Sequence, residues 1–284
     1  MAITAQQVMA LRNATGAGMM DCKKALQESD GDMDKASEYL RKKGISIAQK
    51  KAGRETHEGA VGIAFSNNGK SGAIVHLGCE TDFVARNEQF QELLGQVARQ
   101  VLEAGDGNVL EQSLVEGEGT VNDLLTQYVA TLGENMQIVD ARRLAVDGPG
   151  VVGGYVHNNQ RVGALVALST EGEADGEPLQ DLARDVAMHI SAMEVSAVRP
   201  EDIDQELLDR ERAILVDQAK ESGKPDNVVE KMVEGRLNKF IKEQALLYQS
   251  YVKNPEQTVA ELLDERGKAL GTTVTVAGFA KLQF

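Results

Sequence analysis

The stretch that decides the fold of this 284-residue chain occurs twice. Residues 59–77 read GAVGIAFSNNGKSGAIVHL, residues 150–168 read GVVGGYVHNNQRVGALVAL, and the two segments align without a gap. In each copy an apolar segment leads into a polar turn centred on Asn-Asn and an apolar run returns, which predicts a β-hairpin. A helical pattern follows each copy, with Gln, Leu, Val and Ala in register. The repeat therefore predicts an α+β fold of two similar halves, each a small antiparallel sheet covered by helices on one face.

The two copies differ in the connection between the second strand and the helix. Residues 169–176 of the second copy are polar, whereas residues 78–84 of the first read GCETDFV, which places a large aromatic residue beside a carboxylate. One interpretation is local: Thr81 or Asp82 caps the coming helix and Phe83 folds back onto the sheet. The other is that a loop differing between copies of one scaffold has acquired a function of its own.

Composition and charge limit the classes of function. The length favours about two domains, and the core must be aliphatic, because aromatic residues make up 4% and there is no Trp. The net charge of −14 disfavours nucleic acid as a partner, since binding by counterion release needs clustered Lys and Arg. The basic residues at positions 42–54 are interpreted as a solvated linker, with a phosphate contact as the alternative.

The cysteines and the hydropathy pattern indicate a cytoplasmic protein. Cys22 and Cys79 form no CxxC pair, and no signal peptide is evident. No apolar run approaches the roughly 20 residues that a membrane-spanning helix needs. We therefore expect reduced thiols and no membrane partner.

The pattern along the chain predicts five segments. The first holds three helices, with Thr4 as a cap, a break at Gly16–Gly18 and a polar linker from Gly44 to Gly53. The last holds a helix over about 257–266 and a strand over about 272–279. The predicted domains are residues 1–54, the three-helix unit and its linker; 55–146 and 147–199, the two core halves; 200–248, a helical hairpin; and 249–284, a return to the core.

The predicted helical hairpin rests on two apolar stripes with charged outer faces. A turn at residues 222–225, Ser-Gly-Lys-Pro, reverses the chain between them. The first stripe consists of Ile203, Leu207 and Ile214. The second consists of Val229, Met232, Leu237, Phe240 and Ile241.

Motifs for covalent chemistry are missing from the sequence. Gly69-Lys70-Ser71 fails as a phosphate-binding loop, because Ala64 stands where that motif requires its first glycine. Gly16-Ala17-Gly18 follows no strand, which excludes a dinucleotide fingerprint. The histidines, at positions 57, 76, 157 and 189, lack metal-ligand spacing. We expect no catalytic residue, no cofactor and no metal, so the protein acts through its surfaces.

Met19 and Met20 are candidates for one such surface. They follow Gly18 directly, and two consecutive residues at the start of a helix cannot both face its core. We expect one of them to offer an adaptable, exposed apolar contact.

Two motifs closely resemble the family of bacterial elongation factor Ts. They are TGAGMMDCKKAL at residues 15–26 and TDFVA at residues 81–85, and further family signatures are matched by residues 132–135, 153–163 and 232–236. The resemblance extends in order over nearly the whole chain. It implies a first domain like the ubiquitin-associated three-helix bundle, a duplicated core and an inserted antiparallel helical hairpin.

The resemblance also implies a function, the exchange of guanine nucleotide on elongation factor Tu, in its GDP-bound and nucleotide-free forms. Asp82 and Phe83 would wedge between two helices of that partner's nucleotide domain. The motif that displaces Mg²⁺ from the partner falls on Thr81, Asp82, Phe83 and Val84. Further contacts to the partner carry over to Arg12, Met19, Met20, Lys23, Leu132, Gly133 and His157.

An alternative from a different class remains, a structural adaptor whose first domain binds peptide or ubiquitin-like ligands. Family members also commonly continue past the last strand into a helix that contacts the partner. This sequence ends at Phe284, so less is expected of that contact.

Overall fold

The computed structural model describes residues 3–172, 174, 176–220 and 225–284. Its α-helices are α1 Ala5–Thr15, α2 Met19–Glu28, α3 Met33–Lys51, α4 Asp82–Ala85, α5 Glu88–Ala104, α6 Val121–Leu132, α7 Glu177–Ala192, α8 Gln205–Lys220, α9 Asp226–Gln244 and α10 Val259–Leu270. Its strands are β1 Glu58–Phe65, β2 Ser71–Cys79, β3 Met136–Ala145, β4 Gly150–Val156, β5 Val162–Thr170, β6 Ser250–Tyr251, β7 Asn254–Thr258 and β8 Val274–Gln283. Short 3-10 turns lie at Val109–Glu111, Pro200–Asp202 and Leu246–Tyr248.

Backbone contacts divide the chain into two compact units. The first unit holds Met1–Ala64, Ala73–Arg143 and Leu282–Phe284, and the second holds Phe65–Gly72 and Leu144–Lys281. The sheets have the strand orders β1-β2-β3 and β4-β5-β8, and β6 pairs with β7 as a two-stranded ribbon that the sequence did not predict. Helices and small antiparallel sheets together confirm the α+β class.

The two copies of the repeat form hairpins with the same local geometry. Gly59 and Gly150, which begin them, have φ values of +154° and +141°. A Cβ atom would lie 2.1 Å from the carbonyl oxygen of Leu77 in the first copy and 2.2 Å from that of Leu168 in the second. Both positions therefore require glycine, because any side chain would collide with the neighbouring strand.

Three helices form the N-terminal part of the first unit around a small core that includes Leu11 and Leu26. Thr4 caps α1 in a capping box with Gln7, as the sequence predicted for the cap. The linker predicted from Gly44 onward is wrong, because α3 runs on to Lys51. Gly44 is buried, and a Cβ there would lie 3.3 Å from the Cβ of Ala130 in α6.

This close approach explains why a glycine does not end α3. A glycine inside a helix costs about 1 kcal/mol relative to alanine. Here the missing side chain lets Ala130 of α6 approach the backbone of α3 closely, and the packing offsets that cost. Sequence patterns record the propensity and not the partner helix.

Helices α8 and α9 pack against each other through Leu215, Ala219, Val229, Val233 and Leu237. The predicted second stripe is largely confirmed, since Val229 and Leu237 are buried and Phe240 and Ile241 pack at the margin. The predicted turn at 222–225 lies outside the described residues except for Pro225, where they resume.

The predicted first stripe of the helical hairpin is wrong. Ile203 precedes α8 and packs with Ala197 and Ala245, and Leu207 lies at the edge of that same cluster. Ile214 is 52% exposed, whereas the next residue, Leu215, is buried. Apolar residues at the start of the segment cover the base of the hairpin, which shifts the buried face of α8 by one residue.

The predicted C-terminal elements are confirmed with shifted bounds, as α10 and β8. Within the described residues, none of the helices combines the length and apolar character needed to cross a bilayer.

Candidate functional site

The loop that distinguishes the first repeat folds into a single helical turn. Thr81 is the N-cap of α4, and its hydroxyl accepts a hydrogen bond from the backbone N–H of Val84 at 3.4 Å. Ala85 is buried and Val84 packs against the core of the first unit. Phe83 faces the other way and is 83% exposed. The predicted capping by Thr81 is confirmed, and the interpretation that Phe83 folds back onto the sheet is wrong.

Asp82 stands beside this ring with its carboxylate half exposed. Its partner is Arg86, one turn further on, at 3.1 Å. An ion pair between two exposed side chains contributes little, about 0–1 kcal/mol. Because so little free energy holds Asp82 to Arg86, the carboxylate can exchange this partner for a group on another molecule.

The turn after α6 reaches the same loop from a distant part of the sequence. Gly133 ends α6 in a left-handed conformation, with φ of +79°, and this turn brings Glu134 onto Thr81. The carboxylate of Glu134 accepts the backbone N–H of Thr81 at 3.0 Å and its hydroxyl at 2.7 Å. The motifs at 81–84 and 132–135 therefore form one structural element.

A second carboxylate mirrors this arrangement. Glu80 accepts the backbone N–H of Asn135 at 2.6 Å and pairs with Arg54 at 3.2 Å. The hydrogen bond from Asn135, and then the Arg54 guanidinium, lower the pKa of the Glu80 carboxyl below its ordinary value. The side-chain amide of Asn135 donates to the carbonyl of Arg54 at 2.7 Å, and Lys51 donates to the carbonyl of Gly133.

The sequence predicted no part in this loop for Glu80, Glu134 or Asn135, and it placed Arg54 in a solvated linker. Two signals were available. Glu80 stands inside the loop that differs between the repeats, and Glu134 and Asn135 follow a glycine that ends a helix. Neither signal states that the two segments meet.

Cys79, at the end of β2, is buried beneath the loop, and its thiol donates to the carbonyl of Thr81 at 3.1 Å. Burial, and then the charge of Glu134, raise the pKa of the Cys79 thiol to about 12. A thiol held in its protonated form is a poor nucleophile, and Cys79 supports the loop through its hydrogen bond to Thr81.

The candidate contact residues of the N-terminal helices lie on the surface. Arg12 and Lys23 are exposed. Met20 is 74% exposed, which confirms that one methionine offers an exposed apolar contact, and Met19 is 40% exposed as well. The buried face of α2 is instead formed by Cys22, Ala25 and Leu26.

The three remaining candidates differ in their surroundings. Leu132 packs at the margin of the first unit's core, so this side chain supports the fold as well. Gly133 is exposed. His157 belongs to the second unit, where it is exposed at the end of β4 with its Nδ1 atom 3.0 Å from the Oδ1 of Asn159.

The lysine of the glycine-containing turn has a structural role. Lys70 donates from its Nζ atom to the carbonyls of Gly148, at 3.1 Å, and Gly150, at 2.8 Å.

In the part of the chain that the structure describes, no cluster of three or more His, Cys, Asp or Glu side chains could hold a metal ion. The turn at residues 81–84 offers an exposed ring and a carboxylate, which suits contact with another macromolecule.

Comparisons with known proteins identify the family of this chain. The family described as "Elongation factor TS" matches residues 80–284. Proteins named elongation factor Ts are similar over 99% of this chain and 92% of their own length: 47% identical in Rhizobium meliloti, and 44% identical in both Trichlorobacter lovleyi and Clostridium novyi. Matches of this extent define the class of protein, a translation elongation factor that serves protein biosynthesis. Within that class, the chain belongs to the elongation factor Ts family.

Proposed function

We propose that this protein is a guanine-nucleotide exchange factor that binds elongation factor Tu with GDP or without nucleotide. It promotes release of GDP and exchange for GTP. The observation that carries the proposal is Phe83, a large aromatic side chain that is 83% exposed. The two residues that follow it in the same turn, Val84 and Ala85, pack into the core of the first unit. Burying such a ring on binding supplies about 1.5–3 kcal/mol, which is available to deform a partner.

In the proposed mechanism Asp82 and Phe83 enter between two helices of the partner's nucleotide domain. The segment Thr81–Val84 thereby displaces the partner's Mg²⁺. This ion requires a near-ideal octahedral shell of oxygen atoms, so a small shift of one ligand weakens its binding. Once the metal is lost, the phosphates of GDP lack their main neutralising charge and the nucleotide dissociates faster.

Exchange of this kind needs no covalent step and no cofactor on this chain. If the factor weakens nucleotide binding, the nucleotide must weaken binding of the factor to the same degree. Incoming GTP therefore drives the factor off. The protein acts as a binding partner and not as an enzyme in the usual sense.

Further contacts are assigned to three groups of residues. Arg12, Met19, Met20 and Lys23 contact the partner's nucleotide domain, where flexible methionines adapt to the facing surface. Leu132 and Gly133 add a contact beside the loop, and His157 faces a more distant domain of the partner.

The domain plan and the location belong to the same proposal. The domains are residues 1–54, resembling a ubiquitin-associated domain, core subdomains at 55–146 and 147–199, a helical hairpin at 200–248 and a C-terminal segment at 249–284. The protein works in the cytoplasm, without a membrane and without direct contact to nucleic acid.

Release of fluorescent GDP from elongation factor Tu tests the proposal. The wild-type factor accelerates release, and Phe83→Ala lowers that acceleration by about 10–100-fold, the factor that corresponds to burial of one aromatic ring. The double variant Asp82→Ala/Phe83→Ala removes most of what remains. Tyr248→Ala, which truncates a 53% exposed aromatic residue in the second unit, is the matched control and leaves release unchanged.

A second arm addresses the metal. With Mg²⁺ removed by EDTA, the difference between the wild type and Phe83→Ala shrinks, because the step through the metal is bypassed. Unchanged acceleration by a folded double variant would contradict the proposal. In that case binding of peptides or ubiquitin-like proteins to residues 1–54 is the next measurement.

A further inference from the structure

We infer that Glu134 is a positioning residue for nucleotide exchange, which holds Thr81 so that α4 presents Phe83 to the partner. The inference rests on the proposed function for its effect on exchange, and on the structure of the free protein for its effect on the loop. Glu134 acts through Thr81 and needs no contact with the partner.

The Glu134 carboxylate binds Thr81 at two points. Its two oxygens take separate hydrogen bonds from one residue, the backbone N–H of Thr81 at 3.0 Å and the hydroxyl at 2.7 Å. The hydroxyl hydrogen is therefore directed at Glu134, which leaves an oxygen lone pair for the N–H of Val84. Hydrogen bonds to a charged acceptor are stronger than those between neutral groups.

Helix α4 is too short to be stable on its own. It has four residues, Asp82–Ala85, whereas isolated helices shorter than about 12–15 residues are marginal in water. Phe83 is exposed, so no packing holds its side chain. The order of this turn depends on the packing of Val84 and Ala85 and on the N-cap, and Glu134 fixes the N-cap residue.

The carboxylates of Glu134 and Glu80 bind each other's segments reciprocally. Glu134 binds the backbone of Thr81, and Glu80 binds the backbone of Asn135. These bonds lie where β2 has just ended, at Cys79, and β3 is about to begin. They continue the cross-linking of neighbouring strands beyond the sheet, so the loop cannot shift relative to the turn after α6.

Two basic residues at and after the end of α3 also bind this pair of segments. Lys51 donates to the carbonyl of Gly133, in the turn after α6, and Arg54 pairs with Glu80, in the loop after β2. Pre-organisation matters for exchange because a loop that must become ordered on binding spends binding free energy on its own ordering. A loop ordered in advance directs that free energy at the partner.

The first measurement uses the free protein and needs no partner. Backbone amide hydrogen exchange is followed in the wild type, Glu134→Ala and Glu134→Gln. Exchange at α4 amides, including those of Val84 and Ala85, speeds up about tenfold in Glu134→Ala, corresponding to about 1.4 kcal/mol of local stability. Glu134→Gln gives an intermediate effect, because the amide keeps one accepting oxygen. Amides of α5 stay unchanged.

The second measurement separates positioning from binding in the GDP-release assay. In Glu134→Ala the maximal release rate at saturating factor falls about tenfold, while the half-saturating concentration changes less than about threefold, since the other contact surfaces are intact. Glu134→Gln recovers part of the rate. Glu171→Ala is the matched control, because it removes a carboxylate–threonine bond of 2.8 Å, to Thr273, in the second unit.

A double-mutant cycle tests whether Glu134 acts through the ring. Adding Glu134→Ala to Phe83→Ala produces a smaller further loss than in the wild type, because only Asp82 is left to be positioned. An equal loss in both backgrounds would mean an independent contact with the partner and would overturn the inference. So would unchanged amide exchange in α4, or wild-type release by Glu134→Ala.

The outcomes distinguish the inference from the function beneath it. If Phe83→Ala reduces release and Glu134→Ala does not, the inference fails and the proposed function stands. If Phe83→Ala leaves release unchanged, the proposed function fails, and the role of Glu134 in exchange fails with it.

Discussion

Phe83 shows how far a single residue can be understood from sequence. The cap at Thr81 was predicted from residue type, because Thr hydroxyls satisfy the first N–H groups of a helix. Residue type alone does not decide the direction of the ring, which can fold back onto the sheet or face outward as part of a functional loop. The direction is settled by which neighbours are buried: Val84 and Ala85 turn inward, so Phe83 turns outward on the same short helix.

At the residue scale we predict that native Cys79 resists alkylation. Its thiol is buried and its pKa is about 12, so almost no thiolate exists at pH 8. Iodoacetamide at that pH leaves Cys79 unmodified in the folded protein and modifies it fully in denaturant, as measured by peptide mass spectrometry. Labelling of the folded protein as fast as of the unfolded chain would contradict the burial described here.

At the scale of elements, periodicity predicted which segments form helices and strands but not where all of them end. Helix α3 passes through Gly44 because α6 packs against the bare backbone there. The buried face of α8 differs from the expected one because Ile203 belongs to a separate cluster at the base of the hairpin. Both errors arise from a contact with another element, which no local pattern contains.

The close approach of β4 to α7 gives a prediction at this scale. A Cβ atom at Gly153 would lie 2.4 Å from the Cβ of Ala183 and 3.0 Å from its backbone carbon. Gly153→Ala therefore overpacks the core and lowers the free energy of unfolding by about 1–3 kcal/mol, measured by urea denaturation. Gly235→Ala in α9 is the control, because no atom of the described residues lies within 4 Å of a Cβ placed there. A neutral Gly153→Ala would mean that α7 moves away without cost.

At the scale of the whole molecule, each compact unit has its own apolar core. The second also contains a buried polar network that joins helix α7 to the ribbon of β6 and β7. His189 accepts the N–H of Val252 at its Nδ1 atom, at 3.2 Å, and therefore donates from Nε2 to Gln249 at 2.8 Å. Gln249 in turn donates to the carbonyl of Glu194 at 2.7 Å.

This network makes the stability of the second unit depend on pH. Burial lowers the pKa of His189 below its ordinary value of 6.5, and the hydrogen bond to Gln249 opposes this only in part. The unfolded chain therefore binds the proton more tightly, so stability is complete above pH 6.5 and is lost as the pH falls toward the folded-state pKa. We expect the midpoint temperature of thermal unfolding to decrease as the pH is lowered from 7 to 5.

Two variants check the assignment of this pH dependence. His189→Asn weakens it, because the buried titrating group is gone, although the variant is less stable at every pH. His57→Gln alters an exposed histidine and leaves the dependence as in the wild type. His76 is buried as well, and burial lowers its pKa in the first unit, so part of the dependence remains in His189→Asn. A flat pH profile in the wild type would contradict the prediction.

The sequence by itself determined the duplicated hairpins, the α+β class, the family and the loop in which the two copies differ. Each of these is recorded locally, as an alternation of apolar residues, a glycine in register or a motif of adjacent residues. Only the tertiary structure decided that Phe83 faces solvent and that Glu134 reaches Thr81 across 53 positions of the chain. The physical reason is that such contacts depend on how strands and helices pack, and packing free energy is a property of pairs of elements that no single stretch of sequence contains.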